Sequence, residues 1–227
     1  MKTNDHYIFI FGAGSSIARN SIKNLDKYKI LGFTKNSKIK DIKEYKTKKI
    51  RSYAMCIKSI KKINPKKIVL IFMETLSLSN LIINKTESEI LKEIKVNLIN
   101  PHKIIKNVLP LMIKNHWGRI IFAGSSRALK SDVGISGYVL SKYASLGYCK
   151  SLSKEYAKLG ITSNYLSLGL FESPLLSKVK KNDLENIIRN TDTRSIGDYK
   201  SITNAIDFII NSKYVTGAVI NIDGGFH

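Results

Sequence analysis

Tyr138 and Lys142 stand four residues apart in the stretch SGYVLSK, which reads as the start of a helix, so their side chains share one face. A lysine ammonium held beside a phenol favours the phenolate. A tyrosine with an ordinary pKa of about 10 is thereby expected to come down towards neutrality and to serve as an acid or a base. Thirteen residues earlier, Ser125 ends an apolar run, GRIIFAG, that has the character of a buried strand. A hydroxyl at the carboxyl end of such a strand can hydrogen-bond the substrate oxygen that shares a proton with Tyr138. Tyr45 and Lys49 repeat the spacing, but no strand-end hydroxyl or nucleotide loop accompanies them, and they read as solvated surface.

Strands and helices must position these groups, and the chain supplies them in alternation. Tyr7 to Phe11 suits a central parallel strand, and Gly12 to Ala18, GAGSSIA, turns from it into a helix running to about Asp26. The small side chains of that turn would let backbone N–H groups approach a pyrophosphate. Lys29 to Thr34 is a second strand, ending in Thr34, Lys35 and Asn36 with no carboxylate. The basic stretch from Lys38 to Lys67 is expected to hold a short helix, a third strand near Ile50 to Ala54 and a helix ending before Pro65. Ile68 to Phe72, IVLIF, is continuous enough for a strand buried on both faces. Thr86 and Glu89 form a capping box ahead of a long helical pattern that contains Asn97. A fifth strand leads from Gly118 towards Ser125, and a helix from about Gly137 runs to Leu159. Ile161 to Ser167 is a sixth strand, and a helix from Lys200 to Asn211 precedes the closing YVTGAVINIDGGFH.

The 227 residues suffice for one domain with a sizeable core. The formal charge of +21 comes from lysines spread along a chain also rich in isoleucine and asparagine, so it reads as a solvated basic surface with attraction for an acidic substrate. Cys56 and Cys149 lie far apart in helical segments and are expected to be free thiols in a reducing compartment. No run of about 18 apolar residues occurs, so a soluble, cytoplasmic protein is expected, without membrane or nucleic-acid partners.

Taken together, the turn after the first strand, Asn97, Ser125, Tyr138, Lys142 and the terminal Thr-Gly and Asp-Gly-Gly signatures resemble the short-chain dehydrogenase/reductase family, from the first strand to the last six residues. The resemblance implies one doubly wound Rossmann-type α/β domain, a seven-stranded parallel sheet with helices on both faces, and a substrate lid at about 174–200. It implies a carbonyl–alcohol oxidoreductase in which Tyr138 gives the proton, Ser125 holds the carbonyl oxygen, Lys142 lowers the phenol's pKa and binds the nicotinamide ribose, and Asn97 positions a relay water. For the cofactor it implies contacts from Gly12, Ser15, Ser16 and Ile17 in the nucleotide loop and from Thr34 and Lys35 at the ribose. Met73 would stand on the nicotinamide side, and Gly169, Leu170 and Ser173 in the segment SLGLFES, besides Tyr138 and Lys142. Lys35, with no acid at the end of its strand, favours NADP, with NAD as the alternative. No metal is called for, and a homo-oligomer, dimer or tetramer, is implied.

Three departures stand out. Ser16 and Ala18 replace two glycines of the family's loop, and Phe72-Met73-Glu74-Thr75 stands for its Asn-Asn-Ala-Gly. Leu168 stands where the family has a proline. The first two motivate the alternative of a non-catalytic nucleotide-binding or scaffold protein, and the basic 35–67 region motivates a nucleic-acid binder. Arg127, Lys130, Arg189 and Arg194, in segments expected to border one cleft, favour an anionic substrate, either a nucleotide-activated sugar or a 3-oxoacyl thioester.

Overall fold

Apolar runs with no polar face need cover on both sides, and the fold supplies it with helices above and below a parallel sheet. The computed structural model describes residues 5–23, 25–35, 46–49, 52–173, 176 and 181–226. Among these, seven strands pair in parallel in the order β3-β2-β1-β4-β5-β6-β7. They are β1 (His6–Phe11), β2 (Lys29–Thr34), β3 (Lys46–Lys49), β4 (Lys67–Phe72), β5 (Gly118–Ala123), β6 (Ile161–Leu168) and β7 (Val219–Ile222). The helices are α1 (Ser16–Ser21), α2 (Tyr53–Ile63), α3 (Glu87–Ile94), α4 (Asn100–Lys114), α5 (Ser126–Lys130), α6 (Ser136–Tyr156), α7 (Lys181–Arg189) and α8 (Tyr199–Asn211). A π-helical turn, Lys95–Ile99, joins α3 to α4.

Alternate residues of each central strand serve opposite cores. Ile8, Ile10, Val69, Ile71 and Ile121 pack with Ile202, Ile206, Ile209 and Ile210 of α8. Phe9, Phe11, Leu70, Phe72, Ile120 and Phe122 pack with α2, α4 and α6. Phe33, Phe11, Phe72 and Phe122 sit in register on four neighbouring strands. Their rings stack with centroids 5.0–5.4 Å apart and form a cross-strand aromatic ladder directly below the carboxyl ends of the strands. Strand order reverses between β1 and β4, so the chain leaves those two ends in opposite directions and opens a crevice there.

The structure corrects two expectations of the sequence. The third strand is Lys46–Lys49 rather than Ile50–Ala54, because Tyr53 and Ala54 already belong to α2 behind the extended Ser52. A lysine-rich sequence has no apolar alternation to reveal such a strand. The first helix ends at Ser21 rather than near Asp26. The Ser21 hydroxyl donates to Ile17 O at 2.7 Å, a local bond typical of serine near helix ends. The short helix expected after Lys38, Asn36, Tyr45 and positions 174, 175 and 177–180 of the expected lid lie outside the described residues. Both cysteines are free and buried, and burial pushes their thiols up to about 12 at Cys56 and about 11 at Cys149, which makes them unreactive. Among the described residues no helix is long and apolar enough to cross a membrane.

Candidate active site

β5 delivers Ser125 to the carboxyl edge of the sheet, where its side chain caps α5 by accepting from Ala128 N at 3.4 Å. α6 then brings Tyr138 in its first turn and Lys142 one turn later onto the same edge. Lys142 is 4% exposed, and its ammonium donates to Ala123 O at 2.8 Å while lying 5.5 Å from the centroid of the Tyr138 ring. Thus the three residues singled out by type and spacing meet at the end of β5.

Their electrostatics differ from the sequence expectation. Burial raises the Tyr138 phenol above its usual range, and the hydroxyls of Ser125 and Thr75, with the charge of Arg127, only partly oppose that. Lys142 does not bring the phenol down towards neutrality in this state, because its ammonium is engaged by the Ala123 carbonyl and is itself pushed down to about 8 by burial. A phenol that keeps its proton at neutral pH is suited to donating it. Thr75, which the sequence reading passed over, adds a hydroxyl beside Tyr138; its only signal was the departure from Asn-Asn-Ala-Gly.

Asn97 lies in the π turn and is 4% exposed. Its Oδ1 accepts from Leu76 N at 2.8 Å, while Nδ2 donates to Leu76 O at 2.9 Å and to Ser141 Oγ at 2.8 Å. Ser141 in turn donates to Tyr138 O at 2.7 Å. The side chain therefore braces the segment after β4 against the helix that carries Tyr138. A relay water, the expected role of Asn97, would depend on main-chain groups of the π turn, since both amide hydrogens and the amide oxygen already have protein partners.

A second brace lies behind it. Lys85 and Glu93 form an ion pair of 2.9 Å with side chains 1% and 0% exposed. Glu93 also accepts from Leu78 N at 2.8 Å, and Lys85 donates to Leu78 O. The pair packs against Gly137, where an added Cβ would lie 2.8 Å from Lys85 Cε and 3.2 Å from Glu93 Cδ.

The nucleotide side is built around the crevice between β1 and β4. Gly12 has a φ of +83°, and a Cβ there would lie 2.6 Å from Glu74 Cα, so only glycine allows the two loops to approach this closely. Gly12, Gly14, Ser15, Thr34, Lys35 and Met73 border a cleft of about 270 Å³ together with Phe33, Glu74 and Thr75. Ser15 caps α1 by accepting from Ala18 N at 3.1 Å, and the Ile17 side chain packs into the core. Ser16 and Ser173 line a second cleft of about 950 Å³ with Asn20, Leu176, Leu184 and Tyr199. Gly169 N donates to Ile222 O at 2.9 Å, and Leu170 O accepts from Gly197 N at 2.9 Å, which ties this segment to the last strand and to Gly197. The small-residue turn, the two clefts and the hydroxyls around them fit a dinucleotide.

The surroundings of Lys35 include a group that the sequence reading did not place there. β2 ends without an acid, but the segment after β4 brings one beside it: Glu74 pairs with Lys35 at 2.8 Å and accepts from the Tyr53 hydroxyl, to which Asn100 Nδ2 donates at 2.9 Å. Two of the residues expected to bind an anion also have protein partners. Arg127 pairs with Asp132 at 2.6 Å, and the Lys130 ammonium lies 5.3 Å from the centroid of Phe226.

A family model described as enoyl-(acyl carrier protein) reductase matches residues 69–227. The chain is 29% identical over its whole length to 99% of a relative from Buchnera aphidicola of Acyrthosiphon pisum named 3-oxoacyl-acyl-carrier-protein reductase FabG. A relative of the same name from Buchnera aphidicola of Schizaphis graminum is 30% identical, over 94% of this chain and 86% of that one. Among solved structures, one described as "ElxO with NADP Bound" superposes with a TM-score of 0.85 at 20% identity, over 97% of this chain and 98% of the other. One described as "Dehalogenation enzyme" gives 0.87 at 18% identity over the full length of both.

Proposed function

The chain belongs to the short-chain dehydrogenase/reductase family of NAD(P)-dependent oxidoreductases, and we propose that it reduces the carbonyl of an acyl thioester, a 3-oxoacyl chain, with NADPH as the preferred donor. The observation that carries the reading is the convergence of Ser125, Tyr138 and Lys142 at the carboxyl end of β5, beside a crevice lined by the small-residue loop after β1. The 3-oxoacyl class is favoured over a nucleotide-activated sugar by the name of the relatives that match the chain along its length. NADPH is favoured by Lys35 at the end of β2.

The nicotinamide, when bound, supplies the hydride. The Ser125 hydroxyl hydrogen-bonds the carbonyl oxygen and orients it towards the Tyr138 phenol. Tyr138 gives its proton to that oxygen as negative charge develops there, and the Thr75 hydroxyl supports the phenolate left behind. Lys142 stabilises that phenolate by its charge from the ring side. Asn97 and Ser141 keep the loop after β4 and the first turn of α6 in fixed relation during the transfer.

Tyr138→Phe removes one hydroxyl and little volume. It should lower the rate of 3-oxoacyl thioester reduction by at least about 100-fold while NADPH affinity, read by fluorescence titration, stays within a few-fold. Near-parental turnover in this variant at saturating substrate would overturn the assignment. A parent that binds nucleotide but oxidises no NADPH with any carbonyl would favour the non-catalytic reading.

A further inference from the structure

The Glu74 carboxylate is an unusual guest in a nucleotide crevice. It stands beyond the end of β4, where its main chain abuts Gly12 of the loop, and it shares the 270 Å³ cleft with Gly14, Ser15, Thr34 and Lys35. Its side chain is 19% exposed, against 59% for Lys35, so the acid is the enclosed member of the pair and the lysine the solvated one. A short chain of hydrogen bonds holds it there: the Tyr53 hydroxyl donates to it, and Asn100 Nδ2 of α4 donates to that hydroxyl at 2.9 Å. Tyr53 itself is half-buried against the core behind β4, and its phenol is pushed well above the usual range by burial and by the carboxylate it serves, so it remains a donor at every working pH.

We infer that Glu74 is the residue that sets this chain's choice between NADH and NADPH, by competing with the 2′-phosphate for Lys35. The inference rests on the oxidoreductase reading and deepens it. An acid near the adenosine ribose accepts from a free 2′-hydroxyl and repels a 2′-phosphate, whereas a cation there attracts the phosphate. In dinucleotide folds that acid normally ends the second strand; here β2 ends in Thr34 and Lys35, and the acid reaches the same place from β4. Glu74 and Lys35 thus oppose one another in a single site. To hold a 2′-phosphate, Lys35 must leave a 2.8 Å partner whose negative charge stays behind, while a 2′-hydroxyl leaves the pair intact and gains an acceptor. The native preference for NADPH is therefore held down by Glu74, and neutralising that one carboxylate releases it.

The test is a direct titration of NADPH and NADH, without substrate, into the parent, Glu74→Gln, Lys35→Met and the double variant. Glutamine keeps the size of the side chain and an acceptor for Tyr53, and unchanged thermal unfolding would verify that the site stays folded. Glu74→Gln should tighten NADPH by about 10-fold and leave NADH unchanged or weaker by up to about 5-fold. Lys35→Met should weaken NADPH alone. If the effect runs through the lysine, Glu74→Gln should tighten NADPH in the Lys35→Met background by clearly less than in the parent. A ratio of the two affinities that stays within about 2-fold of the parent in Glu74→Gln overturns the inference while leaving the oxidoreductase reading intact. Failure of the parent to bind either nucleotide overturns both.

Discussion

At the scale of single residues, the candidate site pairs a buried lysine with a half-buried phenol whose affinities for protons have shifted in opposite directions. Lys142 is pushed down to about 8 from 10.5, so the charge that supports Tyr138 is present below about 8 and lost above it. The phenol moves upward and keeps its proton through the same range. In the reductive direction kcat/KM should therefore fall as pH rises through about 8, which a pH–rate profile with 3-oxoacyl substrate would reveal. The same shift bears on stability. Because the folded pKa lies below the unfolded one, burying the charged lysine costs stability, and that cost is complete below about 8 and disappears as pH rises towards 10.5. Lys142→Met should accordingly gain thermal stability over the parent at pH 7 and lose the advantage near pH 10. A pH-independent difference would show that lost hydrogen bonding to Ala123, rather than charge burial, governs the variant.

At the scale of elements, the site depends on braces that the strand pattern does not disclose. The loop after β4 is held by Asn97 through Leu76 and by the Lys85–Glu93 pair through Leu78, and both holds end on α6 within a turn of Tyr138. Removing one member of a fully buried ion pair strands the other charge, at a cost of about 3 kcal/mol or more. Lys85→Met should therefore lower the unfolding temperature markedly, and adding Glu93→Leu should recover most of the loss, because two apolar groups of similar size need no solvation. Gly137→Ala should displace the same pair and depress kcat with little effect on cofactor affinity, measured by steady-state kinetics beside fluorescence titration. If the double variant is no more stable than Lys85→Met alone, the pair is not the element's anchor. The capping box at Thr86 and Glu89 was plain in the sequence because it is local; the ion pair between residues 85 and 93 was not, because a lysine and a glutamate eight positions apart usually lie in water.

For the whole molecule, a charge of +21 on 227 residues means that the folded state carries its own repulsion. Screening should relieve it. Raising salt from about 20 to about 300 mM should raise the unfolding temperature by a few degrees, since the screening length falls from about 20 Å to under about 6 Å. A midpoint that stays level or falls would mean that surface ion pairs such as Lys27–Asp207 outweigh the repulsion.

What the sequence determined by itself were the features that rest on local pattern or on short spacing: the apolar runs that became β1, β2, β4, β5 and β6, the capping box, and the strand-end serine and helix-face tyrosine and lysine that meet at Ala123. Four residues along a helix fix a shared face whatever surrounds them, and a run of apolar residues must be buried wherever the chain goes. The tertiary structure alone decided what depends on groups far apart in the chain. Lys35 and Glu74 are thirty-nine positions apart and follow strands separated in the sheet by β1, so only the sheet order could reveal that a carboxylate lies beside the end of β2 after all. The direction in which Tyr138 and Lys142 titrate was likewise beyond the sequence, because spacing can place a charge beside a phenol but only packing decides how much water is left around either.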